Sequence, residues 1–130
     1  MTFHKATPKD IPAISALIFS ATRRGKILKR TRNDVQKNIH HFWVAKKETK
    51  VIACCALEIY SKKLAEVRSL VVDEKHEGQG IASAFLDRCL REAKKKKIYE
   101  VLVITDRENL FKRKGFSEQL HGQKALFLRP

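Results

Sequence analysis

Apolar and polar residues follow two spacings along this chain, one typical of helices and one typical of strands. Thr2–Ala6 is a short strand candidate. Apolar positions at helical spacing then predict a helix over Asp10–Arg24, with Asp10 as its N-cap. A second, short helix ending near His40 is expected, with Asn33 or Asp34 as its N-cap.

The middle of the chain is rich in strand-forming residues. Phe42–Lys46 and Val51–Tyr60 are two such runs separated by a polar turn, which indicates a hairpin. A third strand is expected over Leu64–Asp73. Its end, Leu70–Val72, is continuously apolar and is therefore expected to be buried on both faces.

A helix and a further strand follow that third run. The loop Glu74–Gln79 leads into a helix over Gly80–Lys95, and a strand returns over Ile98–Thr105. Two strands joined by such a helix are expected to be parallel. A short helix over Glu108–Lys114 and a last strand over Lys124–Leu128 complete a mixed α/β pattern.

Composition and charge narrow the class of protein. The 130 residues, 43% hydrophobic and 32% charged, fit one ordinary folded domain and exclude collagen-like or wholly disordered chains. Lys and Arg number 28 against 14 Asp and Glu, so the formal net charge is +14. This excess points to anionic partners such as phosphates, RNA, anionic membranes or acidic metabolites.

Two observations favour a cytoplasmic protein that does not enter a membrane. The longest apolar stretch, Val51–Leu57, is far too short to span a bilayer, and the first residues lack the apolar core of a signal peptide. The three cysteines, Cys54, Cys55 and Cys89, form neither a disulfide framework nor a metal motif. We expect them to be reduced and to pack in the core.

The junction between the third central strand and its helix is the best candidate for chemistry. Two glycines and two small residues in the segment Gly78–Ser83 leave backbone N–H groups exposed at a helix N-terminus, where a phosphate can bind. A dinucleotide fingerprint fits less well because Ser83 replaces its third glycine, and no Gly-Lys-Ser/Thr completes a Walker A loop. A simple tight turn is the remaining alternative.

Order and spacing together resemble the GNAT superfamily of N-acetyltransferases. In that family the fourth strand, a loop of the form Arg/Gln-x-x-Gly-x-Gly/Ala and the following helix hold acetyl-CoA. The matching stretch here is Glu77–Ala82. The chain looks most like the short amino-acid N-acetyltransferases of the N-acetylglutamate synthase type. The resembling segments are Ala6–Ile14, Leu28–Thr31, Ile52–Leu57, Leu64–Asp73 and the run from Val103 through Lys114-Gly115-Phe116.

The resemblance implies a fold, a co-substrate and a set of cofactor-binding residues. It implies an α/β GNAT fold over residues 1–130 with a mixed sheet of seven strands. Two helices follow the first strand, and single helices follow the fourth and fifth. Acetyl-CoA is the implied co-substrate, without a metal. Its implied contacts are Leu70, Val71, Val72, Glu77, Gly78, Gln79, Gly80, Ile81, Ala82, Ser83 and Phe111.

The resemblance also implies catalytic residues. Glu66 matches the glutamate that subgroup members are thought to use as general base. Chemistry agrees, because acetyl transfer to an amine needs the ammonium deprotonated, and Glu66 is the only acid on its strand before the strand's end. The alternative is a solvated strand charge. Thr105 could donate a hydrogen bond to the thiolate leaving group or line the pocket.

Arginines are the expected anchors for an acidic substrate, because a guanidinium binds a carboxylate with two parallel hydrogen bonds. Arg30 lies in the basic segment that matches the subgroup. Unbulged alternation along the strand places Arg68 on the same face as Glu66. In so basic a chain, each could instead be a solvated surface residue.

Three positions depart from the family pattern. Glu77 stands where the loop usually has Arg or Gln, so a carboxylate faces the diphosphate and we expect weaker cofactor binding. Phe111 stands where many members have a tyrosine that acts as general acid, although the subgroup itself usually has Phe. Lys29 replaces a proline, which leaves the substrate's identity open.

We therefore expect direct acetyl transfer to the α-amine of a small amino acid, glutamate being favoured, by a monomer or homodimer. One alternative is a macromolecular acceptor, such as a protein or charged tRNA, contacted by the run Lys94–Lys97 and by Arg107, Lys112, Arg113 and Lys114. The helix-end position of that run disfavours nucleic acid, because cations there complement the helix dipole. The other alternative is a non-catalytic CoA-binding domain.

Overall fold

A five-stranded sheet organises the fold in the computed structural model, which describes residues 1–130. The strands lie side by side in chain order: β1 (Thr2–Lys5), β2 (Phe42–Lys47), β3 (Lys50–Ile59), β4 (Leu64–Val72) and β5 (Glu100–Val103). Neighbours among the first four are antiparallel, whereas β4 and β5 are parallel. The predicted hairpin and the parallel pair around a helix are thus confirmed.

Three helices lie between strands, α1 (Ile11–Arg23), α2 (Arg32–Lys37) and α3 (Ile81–Lys95), and a fourth, α4 (Glu108–Lys112), follows β5. All four were predicted, with boundaries shifted by a few residues. The N-cap of α2 is Thr31, whose hydroxyl accepts a hydrogen bond from the Asp34 backbone N–H at 3.1 Å. The prediction of Asn33 or Asp34 as the cap was wrong, because Thr31 supplies the side-chain oxygen one residue before the helix begins.

The sheet buries one apolar face against α1 and the other against α3. Along β3, Cys54 and Ala56 pack with α1, whereas Cys55 and Leu57 pack with α3. This alternation is why the whole run could be apolar: both faces of a central strand are covered. All three cysteines are buried and unpaired, as their apolar surroundings predicted.

A β-bulge interrupts β4 at its centre. Cys54 pairs with Val71 but Ala56 pairs with Arg68, so two β4 residues, Ser69 and Leu70, oppose one residue of β3. Ser69 has a φ of 53°, an uncommon left-handed conformation for a residue with a side chain. The extra residue reverses which face later side chains occupy.

The pairing of β4 with β5 stops halfway along β4. Its four paired positions run from Leu64 opposite Glu100 to Val67 opposite Val103. Beyond Val67, β4 continues for five residues while β5 has already ended. The part of β4 beyond Val67, which leads toward α3, therefore has no backbone partner on β5.

The predicted last strand over Lys124–Leu128 was wrong, and so was the seven-stranded sheet. Beyond β5 the chain forms only a single bridge, between Leu120 and Gln123. Leu126, Phe127 and Leu128 are each more than 70% exposed. A β-rich sequence becomes a strand only when a neighbour accepts its backbone hydrogen bonds, and no neighbour pairs with this segment.

The C-terminus of α3 yields a stability prediction. Lys97 has a φ of 57°, and it donates its N–H to the Lys94 carbonyl while Ile98 donates to Ala93, both at 3.0 Å. This is the hydrogen-bond pattern of a Schellman motif, whose left-handed residue is usually glycine. We expect Lys97→Gly to stabilise the protein by about 1 kcal/mol, raising its Tm.

Arg91→Gly, at an exposed position in the interior of α3, is the matched control. A glycine there should destabilise the protein by about 1 kcal/mol, because glycine is a poor helix former. Equal destabilisation by both variants in thermal unfolding would contradict the cap assignment.

Candidate active site

A buried carboxylate on β3 organises the polar residues on the α1 face of the sheet. Glu58 is 4% exposed, and its two oxygens accept hydrogen bonds from different arginines. Arg30, in the connection between α1 and α2, donates to one oxygen, and Arg68 on β4 donates to the other at 2.9 Å. Arg30 and Arg68, the predicted anchors for a substrate carboxylate, therefore lie close together. The carboxylate that both of them bind is that of Glu58.

Arg30 has little capacity left for a substrate in this arrangement. Besides Glu58, its Nε donates to Asp34 at 2.6 Å and its Nη1 donates to the Ser69 hydroxyl at 3.0 Å. Its side chain is 2% exposed, whereas that of Arg68 is 36% exposed. Of the two guanidinium groups, Arg68 is the one that solvent can reach.

Glu66 lies opposite Glu58 across the β3–β4 ladder. Directly opposed carboxylates repel one another, so the pair needs a bridging donor. Tyr60 supplies it: its hydroxyl lies 2.5 Å from a Glu66 oxygen and 3.3 Å from a Glu58 oxygen. We call Arg30, Asp34, Glu58, Tyr60, Glu66 and Arg68 the Glu58 cluster.

The charge states of this cluster follow from its contacts. Burial alone would raise the pKa of Glu58, but the hydrogen bonds and charges of Arg68 and Arg30 outweigh burial and hold that pKa below its ordinary value. Burial, followed by the hydrogen bond to Glu66, raises the pKa of Tyr60. Tyr60 therefore keeps its proton at neutral pH and donates it to Glu66, the nearer of the two carboxylates.

Glu58 and Tyr60 were missed by the sequence analysis. The sequence did contain a signal for Glu58, since this acid directly follows the apolar run Ile52–Leu57. All six residues of that run are buried in β3. A carboxylate in such a place is rarely solvated and needs cationic partners. Nothing in the sequence indicated Tyr60, because its contact depends on the pairing register of β3 with β4.

The glycine-containing loop forms the turn into α3. Gly78 and Gly80 have φ values of 78° and 79°, so both use the left-handed region that glycine adopts without strain. Gly80 is the N-cap of α3, whose first N–H groups have no intrahelical partner. Arg24 Nη1 lies 2.8 Å from Glu74 and 3.6 Å from Glu77, which partly compensates the unusual carboxylate in this loop.

Thr105 and Phe111 make no hydrogen bond or ring contact with the Glu58 cluster. The Thr105 hydroxyl accepts a hydrogen bond from the Arg107 N–H at 2.9 Å, which leaves its own proton free to donate elsewhere. Phe111 is 4% exposed and packs edge to face on Phe116, with 5.4 Å between ring centroids. Its ring is part of the core, and its predicted contact with the cofactor stays a prediction.

The lysines at the end of α3 are exposed, and Lys96 pairs with Glu92 at 3.2 Å. Lys112 and Lys114 also have acidic neighbours, Glu108 and Asp87. These contacts are typical of a solvated basic surface.

The longest helix, α3, has 15 residues, and no helix combines the length and hydropathy needed to cross a bilayer. No three His, Cys, Asp or Glu side chains are grouped so that they could hold a metal ion.

The buried ion pairs of Glu58 predict a pH-dependent stability. A carboxylate with a lowered pKa stabilises the fold fully above its unfolded pKa of about 4.3, and this contribution is lost as the pH falls through the folded-state pKa. Glu58→Gln should cost about 3 kcal/mol of unfolding free energy at pH 7. The difference from wild type should shrink as the pH falls below about 4, as measured by urea unfolding at each pH.

Glu118→Gln is the control, because Glu118 forms an exposed pair with Lys112. It should change stability little at any pH. A Glu58→Gln deficit that stays constant between pH 7 and pH 3 would contradict the ionised state of Glu58.

Comparison with known proteins places this architecture in a family. The family model described as an acetyltransferase (GNAT) domain matches residues 38–118. An uncharacterized N-acetyltransferase of Chlorobaculum tepidum is 35% identical over 84% of this chain and 70% of its own length. An amino-acid acetyltransferase of Mycobacterium tuberculosis is 35% identical over 88% of this chain and 67% of its own length. The chain covers only 27% of the amino-acid acetyltransferase of Pasteurella multocida, at 29% identity.

Solved structures agree with the sequence relatives. A Mycobacterium tuberculosis protein crystallised with CoA and a second ligand superposes with a TM-score of 0.86 at 30% identity, over 92% of this chain and 74% of that one. The N-acetylglutamate synthase of Neisseria gonorrhoeae, crystallised with coenzyme A and N-acetyl-glutamate, has a TM-score of 0.83 at 23% identity. It shares the fold over 89% of this chain and 28% of its own. The chain belongs to the GNAT family of acetyltransferases and is an acyltransferase that uses acetyl-CoA.

Proposed function

We propose that this protein transfers an acetyl group from acetyl-CoA directly to the α-amine of a small amino acid. The observation that carries the proposal is the partly exposed Glu66 carboxylate, held by Tyr60 beside the solvent-accessible Arg68. A base and a carboxylate anchor on one strand face match the two ends of an α-amino acid. Glutamate is the first acceptor to test, because the resemblance to N-acetylglutamate synthases implies it.

The stretch of β4 that extends past the end of β5 is the proposed place for the acetyl-bearing end of CoA. Backbone groups of Leu70, Val71 and Val72 lie where β4 extends past the end of β5, so they are available to a pantetheine chain. The pyrophosphate would lie against the N-terminus of α3, where the helix dipole favours anions. Its proposed contacts are Glu77, Gly78, Gln79, Gly80, Ile81, Ala82 and Ser83, and Phe111 is a further proposed contact of the cofactor.

Glu66 is the proposed general base. It takes the proton of the substrate ammonium, directly or through one water, and the freed amine attacks the thioester carbonyl. The new C–N bond forms as the C–S bond breaks, and the thiolate leaves with the electron pair. The nitrogen then loses its second proton to the leaving thiolate, which gives a neutral amide and the CoA thiol. Thr105 is the proposed donor to that sulfur, because its hydroxyl proton is not used within the chain.

The two arginines take different proposed roles. Arg68 is the proposed contact for the substrate carboxylate, since more than a third of its side chain is exposed. Arg30 was expected to share that role, but it is nearly closed off from solvent. We assign it the positioning of Glu58 and Ser69, which it reaches from the α1–α2 connection.

Removal of the proposed base tests the mechanism. Glu66→Gln keeps the shape of the side chain but cannot accept the ammonium proton, so kcat at pH 7 should fall by about 100-fold or more. The affinity for acetyl-CoA should stay unchanged in calorimetric titration. Turnover of the variant should rise with pH, because more acceptor is then already deprotonated. Glu118→Gln should match wild type, and an unaltered kcat in Glu66→Gln would remove this residue from the mechanism.

An acceptor screen tests the substrate class. Thiol release is measured at saturating acetyl-CoA with each common amino acid in turn. For at least one acceptor of about the size of glutamate, the rate of release should exceed that of background hydrolysis. Product mass should increase by one acetyl group on the α-amine. If no amino acid exceeds the background, the amino-acid acceptor is refuted, while CoA binding by the same sample would show that the cofactor site is intact.

A further inference from the structure

Glu58 occupies the arginine donors that a substrate carboxylate would otherwise use. Its oxygens bind Arg30 and Arg68, the two guanidinium groups on this face of the sheet near Glu66. The carboxylate belongs to β3, so it is present at a fixed position whether or not a substrate is bound. An internal anion of this kind competes with an external one for the same hydrogen bonds.

Few donors remain once these contacts are made. Arg30 gives three of its nitrogens to Asp34, Glu58 and Ser69, and its side chain is 2% exposed. Arg68 gives only Nη1 to Glu58. The free edge of the Arg68 guanidinium is therefore the only strong binding surface for a carboxylate that the cluster presents.

The electrostatic balance points the same way. Two arginines face three carboxylates, those of Asp34, Glu58 and Glu66. A substrate carboxylate held by Arg68 gains one close cation, whereas a second carboxylate on the same substrate would meet acids that already use the nearby cations.

We propose that Glu58 is a specificity-determining residue that selects acceptors with one carboxylate and disfavours those with a second. The inference rests on the proposed function and narrows its substrate class: among acceptors of the size of glutamate, Glu58 favours the uncharged side-chain amide over the side-chain acid. It does so by holding Arg30 and Arg68 in internal ion pairs.

A binding experiment tests this without requiring turnover. Glutarate and its monoamide have the same carbon chain and differ by one carboxylate, and neither carries an amine. Calorimetric titration in the presence of CoA should show that wild type binds the monoamide at least as tightly as glutarate. In Glu58→Gln the ratio of glutarate to monoamide affinity should rise by about tenfold or more.

Glu58→Asp is the matched control, because it keeps the charge while it disturbs the packing. Its affinity ratio should stay near that of wild type even if both ligands bind more weakly. A role confined to stability would change both affinities together and leave the ratio unmoved in every variant. If Glu58→Gln does not fold, the wild-type ratio decides alone: tighter binding of glutarate by about tenfold would overturn the proposal.

A kinetic arm separates this inference from the proposed function. The ratio of kcat/KM for glutamate to that for glutamine should rise in Glu58→Gln by a factor similar to that of the binding ratio. If no amino acid is acetylated, the proposed function fails while the binding ratio still decides the role of Glu58. Binding of neither glutarate nor its monoamide to any of the three proteins would refute the inference.

Discussion

Side chains alternate between the faces of a strand, so the extra residue at Ser69 and Leu70 divides β4 into two parts that face differently. Before the bulge, Arg68 lies on the α1 face. After it, Val71 packs with α1, whereas Leu70 and Val72 pack against the α3 side. With plain alternation, Leu70 would instead follow Arg68 onto the α1 face. The bulge thus keeps the polar cluster at one end of β4 and an apolar contact with each helix at the other.

The left-handed backbone of Ser69 costs about 1–2 kcal/mol, and contacts with other elements offset that cost. Arg30 donates to the Ser69 hydroxyl at 3.0 Å, and Cys54 Sγ lies 3.4 Å from the Ser69 carbonyl oxygen. The same guanidinium binds Glu58. Arg30 therefore links the conformation of the bulge to the position of the buried carboxylate, and disturbing either group disturbs the other.

The sequence sufficed for those parts of the fold that depend on local signals. Apolar periodicity located α1 and α3, and the glycines at 78 and 80 located the turn before α3. The apolar end of β4 does contact both faces, although only Val71 is buried and Leu70 and Val72 are half-buried. Alternation correctly placed Glu66 and Arg68 on one face, because both precede the bulge. The last strand was overpredicted, since β-propensity does not reveal whether a neighbouring strand exists to pair with it.

The site was less predictable, because its connections are long-range. Arg30 and Glu58 are 28 residues apart, and Arg30 and Ser69 are 39 apart. No periodicity encodes such contacts. The sequence could identify Arg30 as a functional candidate, but it could not show that the guanidinium is already bound to acids of the same chain.

The net charge of +14 acquires a more limited meaning when the positions of the charges are considered. Much of the excess lies in exposed lysines, such as the run that ends α3, where the helix dipole and water stabilise it. The Glu58 cluster has more carboxylates than guanidinium groups, so the global excess does not extend to it. The overall positive potential can increase the encounter rate with an anionic co-substrate at low salt, because that effect depends on the summed field. Acceptor selectivity depends on close contacts in a partly desolvated cluster, and there the ion pairs of a single glutamate outweigh the distant lysines.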